Sequence, residues 1–326
     1  MRLPSSLLPS VKIAVTALLL FIVFRSVDLA KISHDLSAVE HGRLAILVVA
    51  CWIGQLLCAQ RWRLFAASLG MRGSYGTFFQ LYFVGMLFNV GLPSLIGGDV
   101  VKAYMITRKT GMPLHYGFAS VLQDRAAGLV SLLVYGSIAV VLCPLSWRGI
   151  PLRSLYLLAW LGVAFLVWIV WKGETLYCRR PVPGAVSLPQ KLAGRLADFH
   201  QALGMMRLPP GAILQVILTS FVNSALVLWL FQQVSVAAGY PIDLIAFSVV
   251  FPLVSIATLL PISLGGIGIR EWSYVEALAL LNVPSDVALT IALASSALII
   301  VSDLGGAFFL PTIPAELRSK RPRQQS

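Results

Sequence analysis

The stretch "LPSLIGGDVVKAY", residues Leu92 to Tyr104, places a proline, two adjacent glycines, an acid and a base inside a very apolar run. A second stretch, "LPISLGGIGIREW", residues Leu260 to Trp272, repeats Leu-Pro, the glycine pair and the base at the same spacing. Pro261 follows Pro93 by 168 positions. Interrupted apolar segments at corresponding positions of two halves are typical of transporters. The pattern therefore predicts an internal duplication.

The composition of the chain is that of a membrane protein. Of 326 residues, 58% are hydrophobic and 12% are charged, against roughly 25% charged residues in soluble domains. Mean hydropathy is +0.85, and the apolar runs approach the roughly 20 residues that a helix needs to cross a bilayer. We expect an all-α integral membrane protein. The net charge of +12 is scattered over short connections, so nucleic acid is not expected as a partner.

Two kinds of apolar segment are distinguished by their interruptions. The segments Phe78–Ile106 and Leu244–Leu281 contain Pro and Gly near the middle, and we expect each to form a re-entrant or broken helical hairpin. The uninterrupted runs predict six crossing helices, which are Leu7–Val27, Leu44–Arg61, Gly117–Leu142, Ser154–Trp171, Ala212–Gln232 and Val287–Leu310.

The distribution of basic residues predicts the topology, because cytoplasmic connections carry an excess of Lys and Arg. With three crossings per half, the second half is inverted, both termini are cytoplasmic, and the hairpins enter from opposite faces. The predicted domain covers residues 1–311, with halves of about 1–150 and 151–311. The basic residues assigned to the inside of the first half are Arg61, Arg63, Arg72, Arg108 and Lys109. Eight full crossings are the alternative.

Two polar segments complete the predicted organisation. The connection 172–211 includes "LPQKLAGRLADFHQAL", whose leucines and Phe199 share one helical face. This pattern is typical of a helix on the cytoplasmic surface, although a plain amphipathic connector fits equally. Residues 312–326 form a basic tail that we assign to the cytoplasm.

The interruptions predict a binding site, because broken helices survive in lipid only where they line a cavity. Pro93 and Pro261 end one half-helix, and the glycines leave free backbone N–H groups at the start of the next. A helix N-terminus favours anions, and a nearby base strengthens that preference. The predicted ligand-binding residues of the two breaks are Gly97, Gly98, Asp99, Lys102, Gly265, Gly266, Arg270 and Glu271.

Several of these charges have a structural alternative. Asp99 and Lys102 are three residues apart and are able to pair on one helix. Arg270 and Glu271 are adjacent, so we expect them to point in different directions and not to satisfy each other.

Asp124 and Arg125 are also adjacent, so we expect them to point in different directions and not to pair with each other. Arg125 is predicted to bind a phosphate or carboxylate, and its alternative is a salt bridge to Asp99 or Asp303. Asp303 is interpreted as interfacial. No spacing typical of a catalytic, metal or cofactor site is found, so neither a cofactor nor enzyme activity is predicted.

The blocks "GLPSLIGGDVVKAYMITRKTG", "VLQDRAAGL" and "LPISLGGIGIREW" resemble the signature blocks of the lysylphosphatidylglycerol synthase transmembrane, or flippase-like, family. That family includes the membrane half of multiple peptide resistance factors, hopanoid-biosynthesis membrane proteins and archaeal proteins linked to dolichol-phosphate sugars. Some members append an aminoacyl-transferase domain after the membrane part. Because this sequence stops at Ser326, we expect the synthase chemistry to be lacking.

The resemblance implies a multi-pass protein of the bacterial inner membrane that binds and flips a lipid or lipid-linked anionic head group. A phospholipid, a polyprenyl-phosphate conjugate or a hopanoid-related lipid fits that description. The expected partners are membrane lipids and lipid-biosynthesis enzymes. Two other functions stay open: an intramembrane transferase that uses a polyprenyl-linked donor, and a non-catalytic partner in a lipid-biosynthesis complex.

Overall fold

Helices make up almost all of the chain that the computed structural model describes, which is residues 41–91, 97–177, 197–259 and 268–311. A 3-10 helix, Gly305–Phe309, continues the last α-helix, and residues 197–204 are also helical. The α-helices, in chain order, are α1 (His41–Ser68), α2 (Tyr75–Gly91), α3 (Gly97–Thr110), α4 (Leu114–Leu142), α5 (Leu152–Tyr177), α6 (Pro210–Ala237), α7 (Leu244–Leu259), α8 (Ile269–Ala279) and α9 (Ser285–Leu304).

Five helical segments are long and apolar enough to cross a membrane. They are Gly42–Ser68, Leu114–Leu142, Leu152–Val170, Pro210–Ala237 and Ser285–Phe309. These segments coincide with five of the six crossings predicted from the sequence. The remaining predicted crossing, Leu7–Val27, lies outside the described residues, as does the basic tail 312–326.

The outer surface of the bundle is apolar. On α5, Leu158, Leu166 and Val167 are each more than 60% exposed, and Phe308 is 77% exposed. Soluble proteins rarely expose large contiguous apolar patches, whereas lipid tails solvate such side chains. The fold is therefore that of a multi-pass membrane protein.

The helices α2 and α3 pack against each other in opposite directions. Near their open ends, Lys109 Nζ donates to Thr77 Oγ1 at 2.8 Å, and near the break the backbone N–H of Gly98 donates to Asn89 Oδ1 at 2.8 Å. Between these contacts, the stem of Lys102 lies against Gly85. The first interrupted segment is therefore a helical hairpin, as the sequence predicts.

The second interrupted segment also packs its two arms, α7 and α8, together. The rings of Phe251 and Tyr274 lie 6.5 Å apart between centroids. These residues follow Phe83 and Ile106 by 168 positions, and those two lie on α2 and α3. Both interrupted segments therefore pack their two arms together.

The packing of the whole bundle repeats between the halves. When α1, α2, α3 and α4 are matched with α6, α7, α8 and α9, each contact within the first half has a counterpart in the second. Contacts between the halves repeat as well, since α4 packs on α6 and α7 while α9 packs on α1 and α2. The duplication read from the sequence is thus reproduced in how the helices pack.

The matched helices α1 and α6 cross near their midpoints and run antiparallel. A Cβ at Gly54 would lie 3.0 Å from Asn223 Oδ1, which places the middles of the two helices together. Six residues further along α1, Gln60 Nε2 donates to Gln215 Oε1, which lies earlier in α6, at 3.4 Å. The direction of one helix is therefore opposite to that of its counterpart.

A short strand pair links α4 to α5. Strands β1 (Ser146–Trp147) and β2 (Ile150–Pro151) are antiparallel and are joined by Arg148 and Gly149, which both have positive φ. On α5, the Tyr156 hydroxyl donates to the Val249 carbonyl of α7 at 2.7 Å. Because α7 contains Pro252, this bond supports the backbone just before the proline.

The predicted amphipathic helix is described only from residue 197 onward. There, Ala202 and Leu203 are buried and Phe199 is partly buried, all in the core formed with α1, α2 and α3. This part of the apolar face therefore packs against the protein. Leu188, Leu192 and Leu196 lie outside the described residues.

The close approach of α2 and α3 yields a test. A Cβ at Gly98 would lie 1.9 Å from the Gly85 carbonyl oxygen, and backbone cannot move aside cheaply. We expect Gly98→Ala to lower the free energy of unfolding by about 1–3 kcal/mol, measured as thermal unfolding in detergent micelles. Gly76→Ala is the matched control on the same hairpin, because nothing lies within 4 Å of its added Cβ. Equal stability of the two variants would contradict this packing.

Candidate functional site

The Asp99 carboxylate joins two cations from two helices. Arg125 of α4 donates from Nε to Oδ2 at 2.9 Å and from a terminal nitrogen to Oδ1 at 3.2 Å. Lys102 Nζ lies 2.8 Å from the same Oδ1. Asp99 and Lys102 thus pair as their spacing predicts, and the alternative predicted for Arg125, a salt bridge to Asp99, is present.

The charged side chain of Lys102 is buried in a largely apolar neighbourhood. The residue has no exposed surface, and its Nζ lies 4.2 Å from the ring centroid of Tyr82 and 5.8 Å from that of Trp62. Aromatic faces stabilise such a cation. Its ion pair with Asp99 lacks hydrogen-bond geometry, so the ammonium has no hydrogen-bond partner among the described residues.

A second ion pair connects α1 to α4. Arg61 Nε donates to Asp124 Oδ1 at 2.7 Å, and both side chains are almost fully buried. Arg61 also donates to Ser220 Oγ of α6 at 3.2 Å. The assignment of Arg61 to a cytoplasmic connection was wrong, because α1 continues to Ser68 and carries Arg61 inside the bundle. Asp124 and Arg125 take partners on different helices, as expected for adjacent residues.

Asp303 is a buried carboxylate within electrostatic range of cations from both halves. Its residue is 6% exposed, and its Oδ1 accepts from Gln55 Nε2 at 3.0 Å. Lys102, Arg125 and Arg270 all interact electrostatically with this carboxylate. Asp303 was interpreted as interfacial; the structure encloses its side chain in the bundle, bonded to Gln55 at the middle of α1.

The second hairpin arranges its charges differently. Glu271 Oε2 accepts from the backbone N–H of Gly268 at 2.7 Å and Oε1 accepts from Ser296 Oγ at 3.0 Å. Arg270 Nε lies 3.5 Å from Glu271 Oε1. The neighbours thus approach each other at ion-pair distance, although Arg270 Nε has no hydrogen-bond partner among the described residues. Glu271 is the N3 residue of α8, and its carboxylate caps the helix by bonding back to the N-cap residue Gly268.

The structure places the described residues of the predicted site in two groups. Asp99, Lys102 and Arg125 are in direct contact near the start of α3, where Gly97 and Gly98 lie. Arg270 and Glu271 contact each other in the second half, and Arg270 is in electrostatic range of Asp303. The remaining predicted residues, Pro93, Pro261, Gly265 and Gly266, lie outside the described residues.

Sequence reasoning missed three members of the buried network: Arg61, Asp303 and Gln55. A signal for Arg61 existed, because Trp62, Phe65, Ala66 and Leu69 continue the apolar pattern of α1 beyond it. All four of these residues are less than 8% exposed. The helical periodicity, followed past the first charge, would have extended the helix and placed Arg61 inside the bundle.

The chemistry of the cluster is that of anion binding. Arginine presents a planar fork of N–H donors that matches carboxylates and phosphates, and lysine adds a compact charge. Side-chain accessibility of Arg125 is 40%, so a ligand is able to reach it. Within the described ranges, no three His, Cys, Asp or Glu side chains are grouped so that they could hold a metal ion.

Interrupted helical hairpins, apolar spanning helices and a buried charged cluster define a polytopic membrane protein with an internal polar site. The family description "Lysylphosphatidylglycerol synthase TM region" matches residues 10–303, and the chain belongs to that family. Comparisons with curated proteins and with solved structures gave no match. The resemblance noted in the sequence is thereby confirmed.

The Arg61–Asp124 pair gives a prediction about stability. Asp124→Ala leaves an uncompensated buried guanidinium, which costs about 3–5 kcal/mol, so we expect a clear fall in the thermal unfolding temperature. The double variant Arg61→Met with Asp124→Leu should recover most of the loss. Arg63→Ala is the control, because Arg63 bonds only its neighbour Gln60 among the described residues. A negligible effect of Asp124→Ala would contradict the pairing.

Proposed function

We propose that this protein translocates a lipid with a phosphate-bearing head group, which is held at the cluster of Arg125, Lys102 and Arg270. One observation carries the proposal: Lys102 of the first hairpin and Arg125 of α4 lie 2.8 and 2.9 Å from the same buried carboxylate, Asp99. Ionisable groups inside a membrane are costly and mark substrate pathways. Two cations that meet at one carboxylate, with Arg270 of the second half in electrostatic range of the neighbouring Asp303, form a natural site for an anion.

The depth of the cluster supports this function. Arg125 is eleven residues into α4, about 16 Å from its start, and α4 has 29 residues in all. Gln55, the hydrogen-bond partner of Asp303, lies at the middle of α1, where α1 and α6 cross. Binding sites near the bilayer midplane, at the interface of two repeats, are typical of transporters.

The proposed membrane arrangement is an inverted repeat with six crossings and two re-entrant hairpins. The antiparallel crossing of α1 and α6 supports inversion, because a parallel repeat would keep matched helices in the same direction. The hairpin arms α3 and α8 have 14 and 11 residues, fewer than the roughly 20 needed to span a bilayer. Alternating access then follows from rocking between two equivalent states.

The carboxylates of the site give less support to the alternative function, a transferase. Asp99 is bound by two cations, and Glu271 caps α8 with both oxygens engaged. A general acid or base must reach the proton that it transfers, and neither carboxylate has a free oxygen directed to a substrate. We therefore propose lipid movement as the function. Family membership and the distribution of basic residues support the proposed location, the inner membrane of a bacterium with both termini in the cytoplasm.

Lipid movement is tested in vesicles that contain the purified protein and fluorescent phosphatidylglycerol, by following the fraction accessible to an external quencher. We expect Arg125→Gln and Arg270→Gln each to slow exchange about tenfold, since a hydrogen bond to a charged group is worth roughly 1.5–3 kcal/mol. Lys109→Gln removes a charge from the same hairpin as Lys102, but at the exposed Thr77 contact, and should exchange at the wild-type rate. Unchanged rates in both arginine variants would contradict the site.

The membrane arrangement is tested by labelling single cysteines from one side of sealed vesicles, in a chain whose native cysteines are replaced. We expect Ser74→Cys and Lys109→Cys, at the open end of the first hairpin, to react from the same side. Asp243→Cys and Asn282→Cys, which flank the second pair of arms, should react from the opposite side. Labelling of Ser74→Cys and Lys109→Cys from different sides would favour eight crossings.

A further inference from the structure

The Asp99 carboxylate fills the place that a bound phosphate would take. Both of its oxygens are engaged, Oδ2 by Arg125 Nε and Oδ1 by a terminal nitrogen of Arg125 and by Lys102 Nζ. A two-oxygen contact with the guanidinium fork is also how arginine holds a phosphate. Two of the three cations proposed to bind the head group, Arg125 and Lys102, are thus already occupied by an anion of the protein itself.

The second half of the protein has no equivalent of this anion. The position that follows Asp99 by 168 residues is Ile267, although the base is kept as Arg270. Glu271 does not replace Asp99, since its oxygens accept from Gly268 and Ser296 and its contact with Arg270 is 3.5 Å. Arg270 Nε is buried without a hydrogen-bond partner among the described residues. An internal anion is therefore not a general requirement for building such a hairpin.

The geometry allows the internal anion to be exchanged. Arg125, with 40% of its side chain accessible, is the exposed member of the group, whereas Asp99 is 12% and Lys102 1% accessible in their side chains. An incoming anion therefore meets Arg125 first. Lys102 keeps unused N–H donors, because its ion pair with Asp99 lacks hydrogen-bond geometry.

We propose that Asp99 is a displaceable counter-anion, which occupies Arg125 and Lys102 when no head group is bound and competes with the phosphate when one arrives. This inference rests on the proposed function. Competition from Asp99 lowers the affinity of the site for the head group, so the lipid is released. A transporter needs this property, because a head group held too tightly does not leave on the other side.

The experiment measures binding of dioleoylphosphatidylglycerol to the purified protein in neutral detergent micelles, and its exchange rate in vesicles. We expect Asp99→Asn to bind the lipid about threefold or more tightly, as expected for loss of a competing ion pair, and to exchange it more slowly. Asp243→Asn is the matched control. It removes the same charge from an exposed position outside the cluster, where Asp243 Oδ1 accepts from the backbone N–H groups of Ile245 and Ala246.

The outcomes separate the inference from the proposed function. Tighter binding by Asp99→Asn, with a much smaller change in Asp243→Asn, supports a counter-anion. Equal tightening in both variants, or unchanged or weaker binding by a folded Asp99→Asn, overturns it and leaves lipid binding intact. If the wild type does not bind the lipid and Arg125→Gln exchanges it at the wild-type rate, the proposed function is overturned and the inference with it. Thermal unfolding checks each variant, and Asp99→Ser is used if Asp99→Asn does not fold.

Discussion

Burial of charge in an apolar bundle is the constraint on which this structure depends. An ion surrounded by hydrocarbon needs a partner, and no water is available to supply one. Helix α4 meets this requirement with two neighbouring residues that reach different helices: Asp124 pairs with Arg61 of α1, and Arg125 pairs with Asp99 of α3. These pairs fix the rotation of α4 about its axis, and with it the position of the first hairpin. The charged cluster is therefore also part of what holds the helices in register.

The two halves satisfy this constraint in different ways. The first hairpin brings its own carboxylate to its base, whereas the second uses its carboxylate to cap a helix and leaves Arg270 with one long contact. Repetition of the backbone packing is thus combined with divergence at the charged positions. A site built by two such halves has a neutralised side and a less neutralised side, although the helices around it are equivalent.

The sequence predicted the elements well and their partners less well. Five spans and the first hairpin followed from the length of apolar runs and from Pro and Gly, and the Asp99–Lys102 pair followed from helical spacing. Pairs such as Arg61–Asp124 and Gln55–Asp303 join positions far apart in the chain, and they depend on how each helix is rotated. The Arg270–Glu271 contact depends on the bend of a flexible side chain, which spacing along a helix does not specify. These features depend on tertiary packing, and local patterns in a single sequence do not predict them.

The bond from the Tyr156 hydroxyl to the Val249 carbonyl has a mechanical consequence. It joins α5, the outermost and most lipid-exposed of the described helices, to the proline-containing first arm of the second hairpin. Both partners are buried, so water does not readily replace the bond. Any shift of that arm would therefore carry α5 with it or break the bond outright, which couples a peripheral helix to the second half.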